Sequence, residues 1–197
     1  VMENLAIFSA YLKQVPFLTE ADCQFFTRFL GEQAYQKAKL FLEPGRTCHH
    51  IGFVCKGVFR VYYLADGKEV NTRFILENDF VVDYDSFSNQ KPSKYYIEAL
   101  EPAELIVFTL PTLISAYDHS HNWERFGRLI AERAYRETIT RVESFLFMEA
   151  EERYLQLITE HPSYLERIPL YHLASYLGIE RESLSRIRKK IAHSERL

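Results

Sequence analysis

Between Gly178 and Leu197, six basic side chains (Arg181, Arg186, Arg188, Lys189, Lys190 and Arg196) face three acidic ones (Glu180, Glu182 and Glu195). A local excess of positive charge suits an anionic partner. The spacing narrows the choice of partner. On a helix advancing about 100° per residue, Arg181 and Ser185 fall about 40° apart, and so do Glu182 and Arg186. One face then offers two arginines and a glutamate, with Ser185 and Lys189 beside them. Arginine reads guanine O6 and N7 in two-pronged fashion and glutamate accepts from cytosine N4, both in the major groove of double-stranded DNA. Lys189 and Lys190 are suited to phosphates, which any basic side chain can neutralise.

Such a face needs a scaffold, and the preceding residues supply one. Leu170, Leu173, Leu177, Ile179, Leu184 and Ile187 have the apolar spacing of two helices joined by a short turn. Helices are expected over 169–177 and 181–191. Ala174 is small where the two would cross, and Gly178 permits the left-handed backbone of the turn. The competing structural reading is an amphipathic helix pair whose charged face is merely solvated. The outward basic residues favour a helix-turn-helix that binds DNA.

The whole chain has 197 residues, 47% apolar and 26% charged, with a formal net charge of −3. Gly and Pro number only 7 each, while 15 Phe, 13 Tyr and 1 Trp supply core material. This composition excludes collagen-like and disordered classes and fits a soluble globular protein of one or two small domains. No apolar run approaches the roughly 20 residues of a membrane span, and residues 1–13 lack the pattern of a secretory leader. A cytoplasmic protein without membrane contact is expected. Cys23, Cys48 and Cys55 are too few and scattered for a disulfide framework.

Up to about Pro111 the pattern is one of short strands separated by turns. One short helix is expected over Glu20–Leu30. Strands are expected over 39–42, 51–55, 58–64, 69–76, 95–100 and 105–110. Asp66-Gly67 is the clearest hairpin signal, because both residues tolerate positive φ. Regular short strands of this kind indicate a β-sandwich or barrel. After Pro111 the period becomes helical, and from Asn122 to Met148 the chain contains no Pro. A helix of that length reaches about 40 Å, more than a small domain covers. Its apolar residues Trp123, Phe126, Ile130, Ala134, Ile139, Val142 and Phe145 are therefore expected to meet the same helix of a second chain. The alternative is a helix packed wholly on its own β domain.

At Glu180-Arg181-Glu182-Ser183-Leu184-Ser185-Arg186 the chain resembles the recognition helix of the Crp/Fnr superfamily of bacterial transcription regulators, whose pattern is Arg-Glu-Thr/Ser-x-x-Arg. The order of the rest agrees, with turns at Glu43-Pro44-Gly45, Lys56-Gly57 and Asn78-Asp79-Phe80 of a β-roll, then a long helix, then the helix pair. The resemblance implies an α+β chain in three parts. Residues 1–118 would form a jelly-roll-like (double-stranded β-helix) sensor, 119–148 a dimerisation helix and 149–197 a helix-turn-helix domain. It implies that Arg181, Glu182 and Arg186 contact base edges, that Ser183 and Ser185 contact phosphates, and that RNA polymerase is a partner. It also places the effector pocket at Val82, Asp83, Tyr84, Ser93 and Lys94.

Two departures from the family pattern matter. Val81-Val82-Asp83-Tyr84 stands where cyclic-nucleotide binders carry Gly-Glu, and Ser93-Lys94 stands where they carry Arg-Ser. The glycine that admits the phosphate and the arginine that neutralises it are both missing, leaving Lys91 or Lys94 as substitutes, so cyclic AMP is not the expected effector. Only residues 191–197 follow the recognition helix, so a β-hairpin wing is expected to be absent or very short.

Other chemistry has little support. Iron–sulfur sensors of the family use four cysteines, three of them clustered, unlike the three here. Cys48-His49-His50, with His119 and His121, does not form a metal set, because neighbours in a strand point to opposite faces. Asp83 and Asp85 suggest a carboxylate pair, but a solvated loop explains them equally well. No phosphate loop, metalloprotease motif or nucleophile elbow is present, so neither an enzyme nor a cofactor is expected. The reading is a homodimeric DNA-binding regulator with an unidentified effector. Its rival is a small-ligand-binding or protein-interaction module that has lost DNA binding.

Overall fold

The computed structural model describes residues 2–194. They form α1 (Met2–Lys13), α2 (Glu20–Thr27), β1 (Gly31–Tyr35), β2 (Leu40–Leu42), β3 (His50–Lys56), β4 (Phe59–Ala65), β5 (Lys68–Ile75) and β6 (Phe80–Val81). These are followed by α3 (Tyr84–Asn89), β7 (Tyr96–Ala99), β8 (Ala103–Thr109), α4 (Leu110–His119) and α5 (His121–Phe147). The chain continues with α6 (Ala150–Glu160), α7 (Tyr164–Arg167), α8 (Leu170–Leu177) and α9 (Arg181–Ser194).

The strands form two four-stranded sheets, in the orders β1-β8-β3-β6 and β2-β7-β4-β5. In the first, antiparallel β8 carries β1 on one side (Gly31↔Val107, Tyr35↔Ala103) and β3 on the other (His50↔Thr109, Phe53↔Ile106). Residues of both sheets, among them Phe53 and Leu105 of the first and Phe59 and Ile97 of the second, are buried in one core. The hairpin turn between β4 and β5 has Asp66 at φ 51° and Gly67 at φ 77°, the two consecutive positive φ angles that Asp-Gly suits.

By compactness the chain divides into two units, residues 1–61 with 74–133, and residues 62–73 with 134–197. The first contains most of the β-roll. Phe8 and Leu12 of α1, Phe26 of α2, Phe53, Val54, Ile97, Leu105 and Ile106 of the strands, and Trp123 of α5 fill one core. Thr19 and Asp22 close a capping box at the start of α2, satisfying donors that the first helical turn leaves open. Asp22 also accepts from Asn122 Nδ2 at 2.9 Å, and its carbonyl accepts from Trp123 Nε1 at 3.2 Å, which anchors the start of α5. In the second unit Tyr154, Leu157, Tyr164, Ile168, Leu173, Ala174, Leu177 and Leu184 are buried.

The structure adds elements that the sequence pattern did not announce, namely α1, β1, β6, α3, α4 and α7. Asp83 and Asp85 do not lie in a solvated loop. Asp83 caps α3, its carboxylate accepting from Ser86 N, and Asp85 lies in the first turn of that helix. The seam expected along α5 is corrected in its first half. Trp123 is 2% exposed within its own chain, and Phe126 and Ile130 pack on the roll's core. The switch to solvent exposure comes further along, with Tyr135 at 68%, Ile139 at 37%, Val142 at 49%, Phe145 at 42% and Leu146 at 69%. Ala134, also expected in the seam, is half-buried.

Candidate nucleic-acid interface

Helix α8 ends where Gly178 takes φ 69° and ψ 32°, and the turn Gly178-Ile179-Glu180 leads into α9. Ile179 N donates back to the carbonyl of Ala174 at 3.0 Å, closing α8 in the manner of a left-handed C-cap. Leu173, Ala174, Leu177 and Leu184 are all buried at 3% exposure or less, as the spacing of apolar residues required. Two arginines satisfy carbonyls at the end of α8: Arg141 donates to Tyr176 O at 2.9 Å and Arg153 to Leu177 O at 3.2 Å. Cations near a helix C-terminus also complement its dipole.

On α9 the expected face stands open: Arg181, Glu182, Ser185, Arg186 and Lys189 are exposed. Ser183 is half-buried, and its Oγ accepts from Arg186 Nη2 at 3.0 Å, which steadies the guanidinium on the helix surface. Lys190 is exposed but not equivalent to Lys189, because its Nζ lies 2.6 Å from Glu151 Oε2 on α6. At the entrance to α9, Glu180 meets Lys68 of the hairpin at 3.4 Å. Helix α9 runs to Ser194, and residues 195–197, including Arg196, lie outside the described part.

Of the residues expected to line an effector pocket, Asp83 and Ser93 come together and satisfy each other. Ser93, 6% exposed, donates from Oγ to Asp83 Oδ2 at 2.6 Å and accepts from Tyr95 N at 3.0 Å. Its backbone is bound on both sides, N to Arg46 O at 2.9 Å and O from Gly45 N at 2.8 Å. Val82 packs on the core, while Tyr84 is 54% exposed. Lys91 pairs with Asp85 at 2.7 Å, and Lys94 lies over the Tyr95 ring at 5.4 Å. An anion entering here would meet the carboxylate of Asp83 next to Ser93.

Among the described residues no three His, Cys, Asp or Glu side chains lie together so as to hold a metal ion. His119 stacks on Phe25 with centroids 3.8 Å apart, and His121 contacts Glu124. Burial pushes the Cys48 and Cys23 thiols up, and Cys55 up to about 11, opposite to what a reactive thiolate requires.

Asn71, Arg141, His172 and Ser175 were not singled out by the sequence reading, yet the structure joins them. The available signals were a histidine among the apolar positions of α8 and an arginine in the middle of an apolar stripe. Among the described residues no helix is long and apolar enough to cross a membrane.

Residues 32–120 match the cyclic nucleotide-binding domain family. The likeness extends beyond that domain in solved structures. FixK2 of Bradyrhizobium japonicum superposes with a TM-score of 0.71 at 17% identity, over 84% of this chain and 86% of its own. CLP of Xanthomonas campestris, a c-di-GMP-responsive global regulator, superposes with a TM-score of 0.69 at 16% identity, over 90% of this chain and 93% of its own. A crp/fnr-family regulator of Eubacterium rectale gives 0.68 at 18% identity, over 90% and 85%. The chain therefore shares the fold of Crp/Fnr regulators, a β-roll followed by a long helix and a helical C-terminal part. No curated protein sequence matches it.

Proposed function

We propose that the chain is a homodimeric, sequence-specific DNA-binding transcription regulator of the Crp/Fnr type, with α8 and α9 as its helix-turn-helix. The observation that carries this reading is the outer face of α9. Arg181, Glu182, Ser185, Arg186 and Lys189 all reach solvent there, while Leu184 on the opposite side is buried. Side chains kept for structure alone would not need two arginines and a glutamate in an array that matches base edges in the major groove. Two copies joined through α5 would present two such helices to a two-fold-symmetric site, with half-sites about 34 Å apart. RNA polymerase is the partner that transcription control requires.

Cyclic AMP and cyclic GMP are not its effectors on this reading, since Asp83 and Ser93 are bonded to each other where a cyclic phosphate would have to be neutralised. Calorimetry giving a micromolar dissociation constant for either nucleotide would overturn that part.

The test of the main reading is selection of bound fragments from random DNA, followed by titration of the selected site. Arg181→Ala and Arg186→Ala should each cost about 1–3 kcal/mol per half-site on the selected sequence and much less on random DNA. Equal loss on both kinds of DNA would reject α9 as the reading helix.

A further inference from the structure

The tip of the β4–β5 hairpin, the C-terminal part of α5 and helices α8 and α9 belong to one unit, and a cluster of polar contacts joins them. Arg141 of α5 donates from Nη2 to Asn71 O on β5 at 3.2 Å and to Tyr176 O on α8 at 2.9 Å. Its guanidinium lies 3.8 Å from the Tyr176 ring centroid and 4.9 Å from that of Phe145. Ser175 of α8 donates from Oγ to Glu69 O at 2.8 Å and accepts from Asn71 N at 3.0 Å. Asn71 Nδ2 stands 3.4 Å from Nδ1 of His172, and both residues are buried.

Stability alone is a poor account of this cluster. Asn71 Oδ1 is buried and has no hydrogen-bond partner among the described residues, a loss that an apolar side chain of similar shape would avoid. What the arrangement does provide is geometry. A planar guanidinium that donates to two carbonyls and stacks on a ring fixes distance and angle together, which apolar packing does not. Arg141 adjoins Val142, whose exposed side chain lies on the stripe where a second copy would seat. The same residue grips α8, and α8 is tied to α9 by a three-residue turn.

Building on the DNA-binding dimer proposed above, we infer that Arg141, with Asn71 and Ser175, is a positioning residue. It holds α8 and α9 at a set angle to the dimer helix and so determines which separation of half-sites the protein accepts.

The experiment uses the full chain and a series of duplexes carrying the selected half-sites with the spacer lengthened or shortened. Each base pair added moves one half-site by about 3.4 Å and turns it by about 34°. Wild type should prefer one spacer by about tenfold or more. Arg141→Gln should remain dimeric, keep its helical content and bind a single half-site as wild type does, while its spacer preference falls to within about twofold. Arg141→Lys should behave likewise, because an ammonium keeps the charge but not the fork or the stacking. Ser175→Ala, which removes one hydroxyl, gives the same readout should the Arg141 variants fail to fold. A wild type that selects no sequence overturns the DNA-binding reading itself. A wild type that binds specifically but accepts all spacers equally, or folded variants that keep the wild-type preference, overturns the role of Arg141 alone.

Discussion

Phe145 and Gly178 compete for one volume: Cε1 of the ring lies 2.7 Å from where a Cβ on Gly178 would stand, and Gly178 itself has φ +69°. Gly178→Ala therefore combines a left-handed backbone penalty with a displaced ring, and should lower stability by about 1–3 kcal/mol. Urea unfolding measures it. In a Phe145→Ala background only the backbone part should remain. Equal penalties in both backgrounds would show that the ring moves aside freely.

Along α5, Tyr135, Ile139, Val142 and Leu146 follow one another at intervals of four, three and four residues, and all are exposed. This is the spacing of a two-helix seam. Ile139→Glu combined with Val142→Glu should yield a folded monomer, since unpaired carboxylates at a closed seam cost several kcal/mol. Trp123→Ala should instead unfold the subunit, with a loss of about 3–5 kcal/mol. Sedimentation and thermal melting separate the two outcomes. A double variant that sediments like wild type would move the interface elsewhere.

Lys189 and Lys190 should differ on DNA although they are neighbours. Lys189→Ala is expected to reduce the slope of log affinity against log salt by about one. Lys190→Ala should change it less, because Glu151 already holds the ammonium, and Glu151→Gln should strengthen binding to any sequence. Anisotropy titrations across a salt series give the slopes, and identical slopes for the two lysine variants would show that DNA displaces Glu151.

The third residue of α2 carries an acid dependence. Burial alone would raise the Asp22 carboxyl, but hydrogen bonds from Asn122, from the backbone and hydroxyl of Thr19 and from Ser120 outweigh it and hold it at about 2. Because the folded value lies below the unfolded one, its stabilisation is complete above about pH 4 and is lost as pH falls through about 2. Asp22→Asn should cost up to about 2 kcal/mol at neutral pH, and the gap to wild type should close between about pH 4 and pH 2. A gap that stays constant with pH would mean that the cap acts through shape alone.

The parts legible in the sequence were those governed by local rules. Asp66-Gly67 and Gly178 took the positive φ angles their chemistry allows, and α9 faces outward as its period required. The long helix was found to within a residue at each end, at His121–Phe147. Its burial was not legible, because Trp123 and Ile139 lie on similar apolar periods and only the roll decides which of them is covered. For the same reason α3 was hidden. Its N-cap Asp83 is bonded to Ser93, ten residues away, and no local pattern announces that pair. Arg141 and Asn71, 70 positions apart, were beyond any reading of spacing.

Strands β4 and β5 and helix α5 each pass from one unit into the other, near residues 61, 73 and 133. The unit that carries α8 and α9 is consequently not a contiguous stretch of chain. Grafting residues 134–197 onto the roll of a relative would leave His172 and Arg141 without Asn71, whereas carrying residues 62–73 along keeps the cluster intact. Exchange of this unit between relatives therefore has to move two pieces of chain at once, and the hairpin travels with α8 and α9.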